Sequence, residues 1–259
     1  MWGKEVRLSR IMRDGKILCV PMDHGLTDGP IRGIENVEKA VERVSSGGAT
    51  CVVLHKGMIK TLRRAHLPVL MHLSASTSLG PEPNRKVRVG DVLEAVRLGA
   101  DGVSVHVNVG GEPSEPDMLV KLGEVASEAD ELGMPLLAMM YARGPNIRDK
   151  YDPNLIAHVA RVGAELGADI VKVPYTGDPD TFKIVTEGVS IPIIIAGGPK
   201  MEDDLDVLKM VAGAMEAGAA GVAFGRNVFQ HESPEKMVRA IASIIFEGYD
   251  PEEAAVHLR

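Results

Sequence analysis

The 259-residue sequence is poor in several features that mark particular classes of protein. Aromatic residues make up only 3% of it, which argues against surfaces that stack on nucleic-acid bases. The 29 Lys and Arg residues are outnumbered by 36 Asp and Glu residues and form no cluster, so no nucleic-acid partner is expected. No stretch approaches the ~20 continuous apolar residues of a membrane span, and the first residues lack the apolar core of a signal peptide. These absences predict a cytoplasmic protein without a membrane partner.

Cysteine is also scarce. The two cysteines, Cys19 and Cys51, each lie in a short apolar run. This placement favours two buried free thiols in a reducing compartment over a disulfide.

What the sequence does contain is a repeated short apolar run. Eight such runs lie at 16–25, 49–57, 68–76, 101–110, 135–144, 169–178, 192–198 and 221–227. The segments between them have helical apolar spacing, and most end in Gly or Gly-Ala, as helices do before a turn. Runs that are apolar on both faces and alternate with helices predict a buried parallel sheet.

The predicted fold is a single-domain (β/α)8 TIM barrel, because eight units in about 250 residues match its size. The rival is an open doubly wound sheet, which would need a G-x-G-x-x-G loop straight after the first strand. The first strand here ends in PMDHG instead. We expect the barrel to occupy residues 16–259 and residues 1–15 to form a charged N-terminal arm, either a lid or a subunit contact.

Polar residues collect at the C-terminal ends of the predicted strands, where barrels of this kind carry their chemistry. The beginnings of the predicted strands lack a comparable set of polar residues. The polar set comprises Asp23, His24, His55, Lys56, His72, Ser74, Ser76, His106, Asn108, Tyr141, Arg143, Lys172, Tyr175 and Arg226.

The last two strand ends have the pattern of a phosphate site. They read AGGPK and FGRN, so Gly197-Gly198 and Gly225-Arg226 follow strands seven and eight. Glycine lets backbone N–H groups approach a ligand closely, and barrels often bind phosphate with these two loops and a short helix. Residues 227–231 are predicted to form that helix, and Lys200 is a further phosphate contact. Tight turns without a ligand are the alternative.

Lys172 lies at the centre of the apolar run DIVKVPYTGD. A buried ammonium is costly unless it is paired, and desolvation lowers the pKa of a lysine. A neutral amine can form an imine with a carbonyl carbon and so assist C–C bond cleavage. Tyr141, from the neighbouring strand, could move protons near the imine, and Asp23 could be a second acid–base group. A structural ion pair at Lys172 is the alternative.

Other residues offer competing chemistry. The histidines that close strands one to four, His24, His55, His72 and His106, could hold Zn²⁺, although no H-x-H or H-E-x-x-H spacing is present. Lys56 is an alternative imine lysine, but its place at a strand edge favours exposure. Arg143 is either a clamp for an anionic substrate or a solvated surface residue.

Eight motifs of the sequence are PMDHG, LHKG, HLSASTSLGPEPN, SVHVNVG, AMMYARG, VKVPYTGDPD, IAGGPK and GVAFGRNVFQH. They occur in the same order as in the archaeal-type class I (DeoC/FbaB-like) aldolases, which the sequence resembles over roughly residues 10–255. The resemblance implies a (β/α)8 barrel that forms an imine on Lys172 without a metal or other cofactor. It assigns proton donation to Tyr141 and proton acceptance to Asp23. The substrate-binding residues it implies are Asp23, His24, Gly25, Leu26, Thr27, Tyr141, Ala142, Arg143, Gly197, Gly198, Gly225 and Arg226.

The resemblance also implies the substrates, a phosphorylated keto-sugar and a small aldehyde. HLSASTSLGPEPN and YTGDPD favour a transaldol reaction with L-aspartate semialdehyde, an early step towards aromatic amino acids, over the alternative, fructose-1,6-bisphosphate aldolase. A homo-oligomer, a pentamer or decamer, is expected. Ala142 departs from the proline of relatives and is expected to loosen the loop after strand five. A sugar-phosphate-binding protein without catalysis is the remaining alternative.

Overall fold

The structure, a computed structural model, describes residues 2–64 and 66–259. In these residues, eight parallel strands close into a barrel in which each strand pairs with its neighbours in the chain and β1 pairs with β8. The strands are β1 (Ile17–Pro21), β2 (Cys51–Leu54), β3 (Val69–His72), β4 (Gly102–Val109), β5 (Leu136–Ala142), β6 (Ile170–Pro174), β7 (Ile193–Ala196) and β8 (Gly221–Ala223). The predicted (β/α)8 barrel is therefore confirmed.

The helices follow the strands as expected. They are α1 (Trp2–Ile11), α2 (His24–Asp28), α3 (Val37–Gly47), α4 (Lys56–Ile59), α5 (Val92–Arg97), α6 (Glu115–Glu131), α7 (Pro153–Glu165), α8 (Pro179–Glu187), α9 (Asp204–Glu216), α10 (Arg226–Phe229), α11 (Pro234–Ala242) and α12 (Pro251–Ala254). A π-helical turn (Ser243–Glu247) and a 3₁₀ turn (Ala255–Leu258) complete the chain. Asp152 and Asp178 cap α7 and α8 through their side chains, each followed by a proline suited to the first helical position.

The third apolar run, 68–76, is not one strand as predicted. The barrel strand β3 ends at His72, and Ser74–Ala75 turns away to pair antiparallel with Val87–Arg88. The hydroxyl of Ser74 instead accepts a hydrogen bond from the His106 backbone N–H at 3.0 Å. We call residues 74–88 the ribbon; it lies at the C-terminal ends of β3 and β4.

Two apolar layers hold the barrel, one inside it and one between strands and helices. The interior layer contains residues from alternate positions of the strands: Ile17, Cys19, Cys51, Val53, Leu70, Leu137, Met139, Ile170, Ile194 and Ala223. The intervening positions, such as Val20, Leu54 and Val171, pack outward against the helices. Each strand is therefore apolar on both faces, which is why the sequence shows continuous runs instead of alternation.

The N-terminal segment lies at the end of the barrel where the strands begin. In α1, Lys4 pairs with Asp169 at 3.0 Å and Arg7 donates to the Gly133 carbonyl at 3.0 Å. Ile11 is fully buried against Gly102. The helix thus covers the opposite end from the polar residues at the strand C-termini, so it is not a lid over them.

The prediction of two buried free thiols is confirmed. Cys19 and Cys51 are buried, free and paired in register on β1 and β2. Burial raises the pKa of the Cys51 thiol, and the adjacent Cys19 raises it further. Within the described residues, no helix has the length and apolar character needed to cross a membrane.

Candidate active site

A cavity of about 620 Å³ opens at the C-terminal ends of the strands. It brings together seven of the predicted catalytic and substrate-binding residues, from β5 to β8 and the loops after them, and one residue that follows β1. The seven are Tyr141, Arg143, Lys172, Gly197, Gly198, Gly225 and Arg226, and the eighth is His24. Further lining residues include His106, Lys150, Tyr151, Tyr175, Met201 and Met210.

Lys172 projects into this cavity from inside the barrel. Its backbone is in register with Met139 on β5 and Ile194 on β7, two residues of the interior layer. Lys172 is only 7% exposed, yet it belongs to the cavity wall. No carboxylate lies within 4.0 Å of its Nζ in residues 2–64 and 66–259, so it does not form the structural ion pair that was the alternative. The amine is sheltered from solvent and open to a ligand.

Tyr141 lies on the same face of β5 as Met139, two residues nearer the mouth. Its ring packs at 4.8 Å against the ring of His106. The guanidinium of Arg143 lies 5.4 Å from the centroid of the Tyr141 ring. Arg143 is solvent-exposed but borders the cavity, which favours the clamp over the solvated surface residue.

Asp23 follows β1 and lies between two histidines. Its carboxylate is 3.8 Å from His72 Nε2 and 3.7 Å from His24 Nδ1. Burial would raise the pKa of Asp23, but interactions with His72, His24 and Lys172 hold it well below its usual range. The carboxylate is therefore ionised at neutral pH. Asp23 does not itself line the cavity, whereas its neighbours His24 and Lys172 do.

The four histidines have lowered pKa values, and two of them hydrogen-bond to neighbouring side chains. Burial lowers the pKa of His24, His55 and His106, and lowers that of His72 to about 3. His72 Nδ1 is 2.8 Å from Ser104 Oγ, and His106 Nε2 is 2.9 Å from Asn108 Oδ1. Within the part of the chain that the structure describes, no three His, Cys, Asp or Glu side chains are arranged to hold a metal ion.

The loops after β7 and β8 form one wall of the cavity. Gly198 has a positive φ of 66°, a conformation that favours glycine. A Cβ on Gly225 would lie 2.6 Å from His24 Cε1, so only glycine lets the chain pass there without a shift. The predicted short helix is present as α10 (Arg226–Phe229), which begins one residue and ends two residues before the predicted bounds.

A guanidinium on this wall suits an anion. Arg226 lines the cavity and donates to the Gly198 carbonyl at 3.3 Å. Its Nε and His24 Nδ1 are buried without a hydrogen-bond partner among the described residues, and His24 Nδ1 lies 3.7 Å from the Asp23 carboxylate. Guanidinium groups bind phosphate oxygens through charge-assisted hydrogen bonds.

Several predicted residues lie outside the cavity lining. Gly25, Leu26 and Thr27 are on α2, where Gly25 and Leu26 are exposed and Thr27 Oγ1 donates to the Ser76 carbonyl at 3.1 Å. Ala142 is buried in the layer between strands and helices, because it alternates with Tyr141. It pairs with Val109 as the last residue of β5, so the strand extends through this position.

Lys56, the alternative imine lysine, and Lys200, the predicted phosphate contact, both pair with carboxylates. Lys56 Nζ pairs with Glu94 at 3.0 Å, and its side chain is 42% exposed. It therefore lacks the shelter expected of an imine lysine. Lys200 pairs with Asp204 at 3.6 Å and does not line the cavity.

Sequence reasoning missed Lys86, Lys121, Lys150 and Tyr151. Lys121 had a detectable signal, since it lies on the apolar face of α6 with Met118 and Leu122 and is 5% exposed. Lys86, Lys150 and Tyr151 lie in loops, where neither periodicity nor a strand end marks them.

Comparison with known proteins identifies the family. The DeoC/LacD family aldolase profile matches residues 17–231. The chain is 43% identical over 254 residues to the 2-amino-3,7-dideoxy-D-threo-hept-6-ulosonate synthase of Halobacterium salinarum, a match that covers 97% of this chain and 95% of that protein. It is 39% identical over 249 residues to the 2-amino-4,5-dihydroxy-6-oxo-7-(phosphonooxy)heptanoate synthase of Streptomyces griseus, covering 94% and 90%.

A solved structure agrees with these matches. An archaeal fructose-1,6-bisphosphate aldolase, with its catalytic Lys covalently bound to the carbinolamine intermediate of the substrate, superposes with a TM-score of 0.86 at 32% identity. The match covers 94% of this chain and 99% of that one. The resemblance noted in the sequence is confirmed, and the chain belongs to the DeoC/LacD family of aldolases.

Proposed function

We propose that the protein is a 2-amino-3,7-dideoxy-D-threo-hept-6-ulosonate synthase. Lys172 condenses with a keto carbon of 6-deoxy-5-ketofructose 1-phosphate and releases water as the imine forms. The neighbouring C–C bond breaks, and hydroxypyruvaldehyde phosphate leaves. The enamine that remains adds to the aldehyde carbon of L-aspartate semialdehyde, and water then releases the product from Lys172. The 43% identity to the Halobacterium synthase over nearly the whole chain supports this choice.

The observation that carries the proposal is the environment of Lys172. The residue is 7% exposed in a closed barrel and lines the cavity, and its amine has no carboxylate partner within 4.0 Å in the described part of the chain. An imine-forming lysine needs this combination, because its amine must reach the carbonyl carbon of a bound substrate without a carboxylate that holds it elsewhere. A structural lysine would have a partner.

Tyr141 and Asp23 are proposed to move the protons. The ionised Asp23 accepts the proton of the substrate hydroxyl when the C–C bond breaks, and Tyr141 donates to the oxygen that develops negative charge during addition. The charge of Lys172 contributes to the low pKa of Asp23, so the two groups interact across the site. Tyr141 shares the interior face of β5 with Met139, the register partner of Lys172.

The sugar phosphate is proposed to contact residues 23–27, 141–143, 197–198 and 225–226. Gly198, Gly225 and Arg226 line the cavity and offer it backbone amides and one guanidinium. For Ala142, the contact is limited to the backbone, since its side chain packs outward. We further propose that the enzyme acts in the cytoplasm as a homo-oligomer, a pentamer or decamer, which light scattering of the purified protein would test.

The test combines a product assay with covalent trapping. With 6-deoxy-5-ketofructose 1-phosphate and L-aspartate semialdehyde, the wild type is expected to form the seven-carbon amino acid. Borohydride with the keto-sugar alone should reduce an imine to a stable adduct on Lys172, visible by peptide mass spectrometry. Lys172→Ala should lose both signals. Lys56→Ala is the matched control, because Lys56 is an exposed lysine at the same end of the barrel.

Two results would contradict the proposal. An adduct at a lysine other than Lys172, or turnover by Lys172→Ala, would remove its chemical basis. Rapid cleavage of fructose 1,6-bisphosphate with no product from L-aspartate semialdehyde would favour the aldolase activity of the structural relative instead.

A further inference from the structure

The ribbon, residues 74–88, has no role in the proposed mechanism, yet buried polar side chains hold it in place. Asn108, which is fully buried, donates to the Asn84 carbonyl at 2.7 Å. Lys121, which is 5% exposed, donates to the Lys86 carbonyl and to the His106 carbonyl, the latter at 2.8 Å. Burial of an ammonium and an amide costs free energy, and here their hydrogen bonds to the Asn84 and Lys86 carbonyls offset part of that cost. These hydrogen bonds fix the backbone position of Lys86.

Lys86 is the cation that this arrangement presents. Its ammonium hydrogen-bonds Ser76 Oγ, and no carboxylate lies within 4.0 Å of it among residues 2–64 and 66–259. Burial lowers the pKa of Lys86, and the charge of Arg143 lowers it further. The charge of Lys86 in turn contributes to the low pKa of His106, which lines the cavity. The contacts of Lys121 place Lys86 beside His106, whose ring packs against Tyr141, and Tyr141 in turn lies under the guanidinium of Arg143. Lys86 and Arg143 are therefore on the same side of the mouth, with Asp23 and Asp28 as the anions that act on Lys86.

An anion between Lys86 and Arg143 would relieve their repulsion. The opposite wall already offers Gly198, Gly225 and Arg226 to a phosphate. The second substrate of the proposed reaction, L-aspartate semialdehyde, carries a single carboxylate that also needs a cation. Guanidinium and ammonium groups both bind carboxylates through charge-assisted hydrogen bonds.

We infer that Lys86 and Arg143 bind the carboxylate of the aldehyde acceptor, and that the ribbon determines which aldehydes the enzyme accepts. The inference rests on the proposed function, because only a transaldol reaction has such an acceptor. The alternative is that Lys86 merely closes the ribbon through Ser76.

The test compares two substitutions on the ribbon. Lys86→Gln removes the cation near the cavity, whereas Arg85→Gln removes a neighbouring, 45% exposed cation that pairs with Glu82 and Asp117. For Lys86→Gln, KM for L-aspartate semialdehyde is expected to rise about 10- to 100-fold, the size of one charge-assisted hydrogen bond. The KM for the keto-sugar and borohydride trapping on Lys172 should stay within about twofold. Arg85→Gln should leave all three unchanged.

A second measurement uses a pair of acceptors. The wild type should prefer succinic semialdehyde, which has a carboxylate, to butanal, which lacks one, by about tenfold or more in kcat/KM. Lys86→Gln should reduce this ratio towards one, and Lys86→Arg should restore most of it. A structural role would lower stability without changing the ratio.

Each other outcome overturns the inference. A wild type without preference for the carboxylated aldehyde excludes a carboxylate site, even if no variant folds. If Lys86→Gln and Arg85→Gln change the KM for L-aspartate semialdehyde equally, Lys86 does not bind the acceptor carboxylate. If Lys86→Gln raises the KM for the keto-sugar more than the KM for the aldehyde, Lys86 binds the phosphate. Both results leave the proposed function intact. Failure of the wild type to join any aldehyde to the keto-sugar contradicts the proposed function and, with it, this inference.

Discussion

Asn227 ties together the two loops that form the phosphate wall, and its removal should weaken both the fold and substrate binding. The side chain is 1% exposed. Its Nδ2 donates to the Gly197 carbonyl at 2.8 Å, and its Oδ1 accepts from the Met201 backbone N–H at 2.7 Å. Asn227→Ala leaves both backbone groups without these partners.

The magnitude follows from the two lost hydrogen bonds. A buried polar group left unsatisfied costs about 1–3 kcal/mol, so losing the partner of two such groups should lower the free energy of unfolding by roughly 2–6 kcal/mol. Urea unfolding at constant pH would measure this as a lower midpoint with an unchanged slope. Because the loop at Gly197 and Gly198 loses its anchor, KM for the keto-sugar phosphate should rise. Imine trapping at saturating sugar should persist, since Lys172 does not contact Asn227 through any described hydrogen bond.

Asn154→Ala is the matched control. Asn154 is an exposed asparagine in the first turn of α7, and replacing it should change the free energy of unfolding by no more than about 0.5 kcal/mol. If Asn227→Ala lost less than about 1 kcal/mol, water or a shifted loop would be replacing both hydrogen bonds, and the reasoning would be wrong.

Three further changes have expected results. Tyr141→Phe should lower kcat by about 10²–10⁴-fold while borohydride still traps the sugar on Lys172, and an unchanged kcat would exclude Tyr141 as the proton donor. Burial lowers the pKa of Lys121 to about 7, whereas a lysine in the unfolded chain has a pKa of about 10.4. Between these two pH values the unfolded state binds more protons than the folded state. The free energy of unfolding should therefore rise from pH 7 to pH 10. Urea unfolding of Lys121→Met at the two pH values should show a smaller rise, and an equal rise would contradict the low pKa. Lys4→Ala should lower the free energy of unfolding by about 1–3 kcal/mol in the same assay, because Asp169 loses its cation. Asp169 lies 3.0 Å from Lys4, and its side chain is 19% exposed. An unchanged free energy of unfolding would mean that α1 is held by apolar contacts alone.

The sequence by itself determined the barrel and the location of its chemistry. Strands buried on both faces must be apolar at every position, and helices between them must repeat with a period near 3.6, so both elements are readable from local pattern. The same rule drew attention to Lys172, since a charged residue inside such an apolar run has no local explanation. The glycines after β7 and β8 were readable because φ and close packing restrict those positions to glycine.

Only the tertiary structure decided what surrounds these residues. It ended β3 at His72 instead of at 76, turned Ala142 outward, and placed α1 at the end of the barrel away from the cavity. Lys121 is 35 positions from Lys86 in the sequence, and Asn108 is 24 positions from Asn84. No local sequence pattern can reveal contacts between residues this far apart. Backbone pattern depends on neighbours a few residues apart, whereas the position of a loop cation depends on hydrogen bonds and burial that form only when distant segments meet.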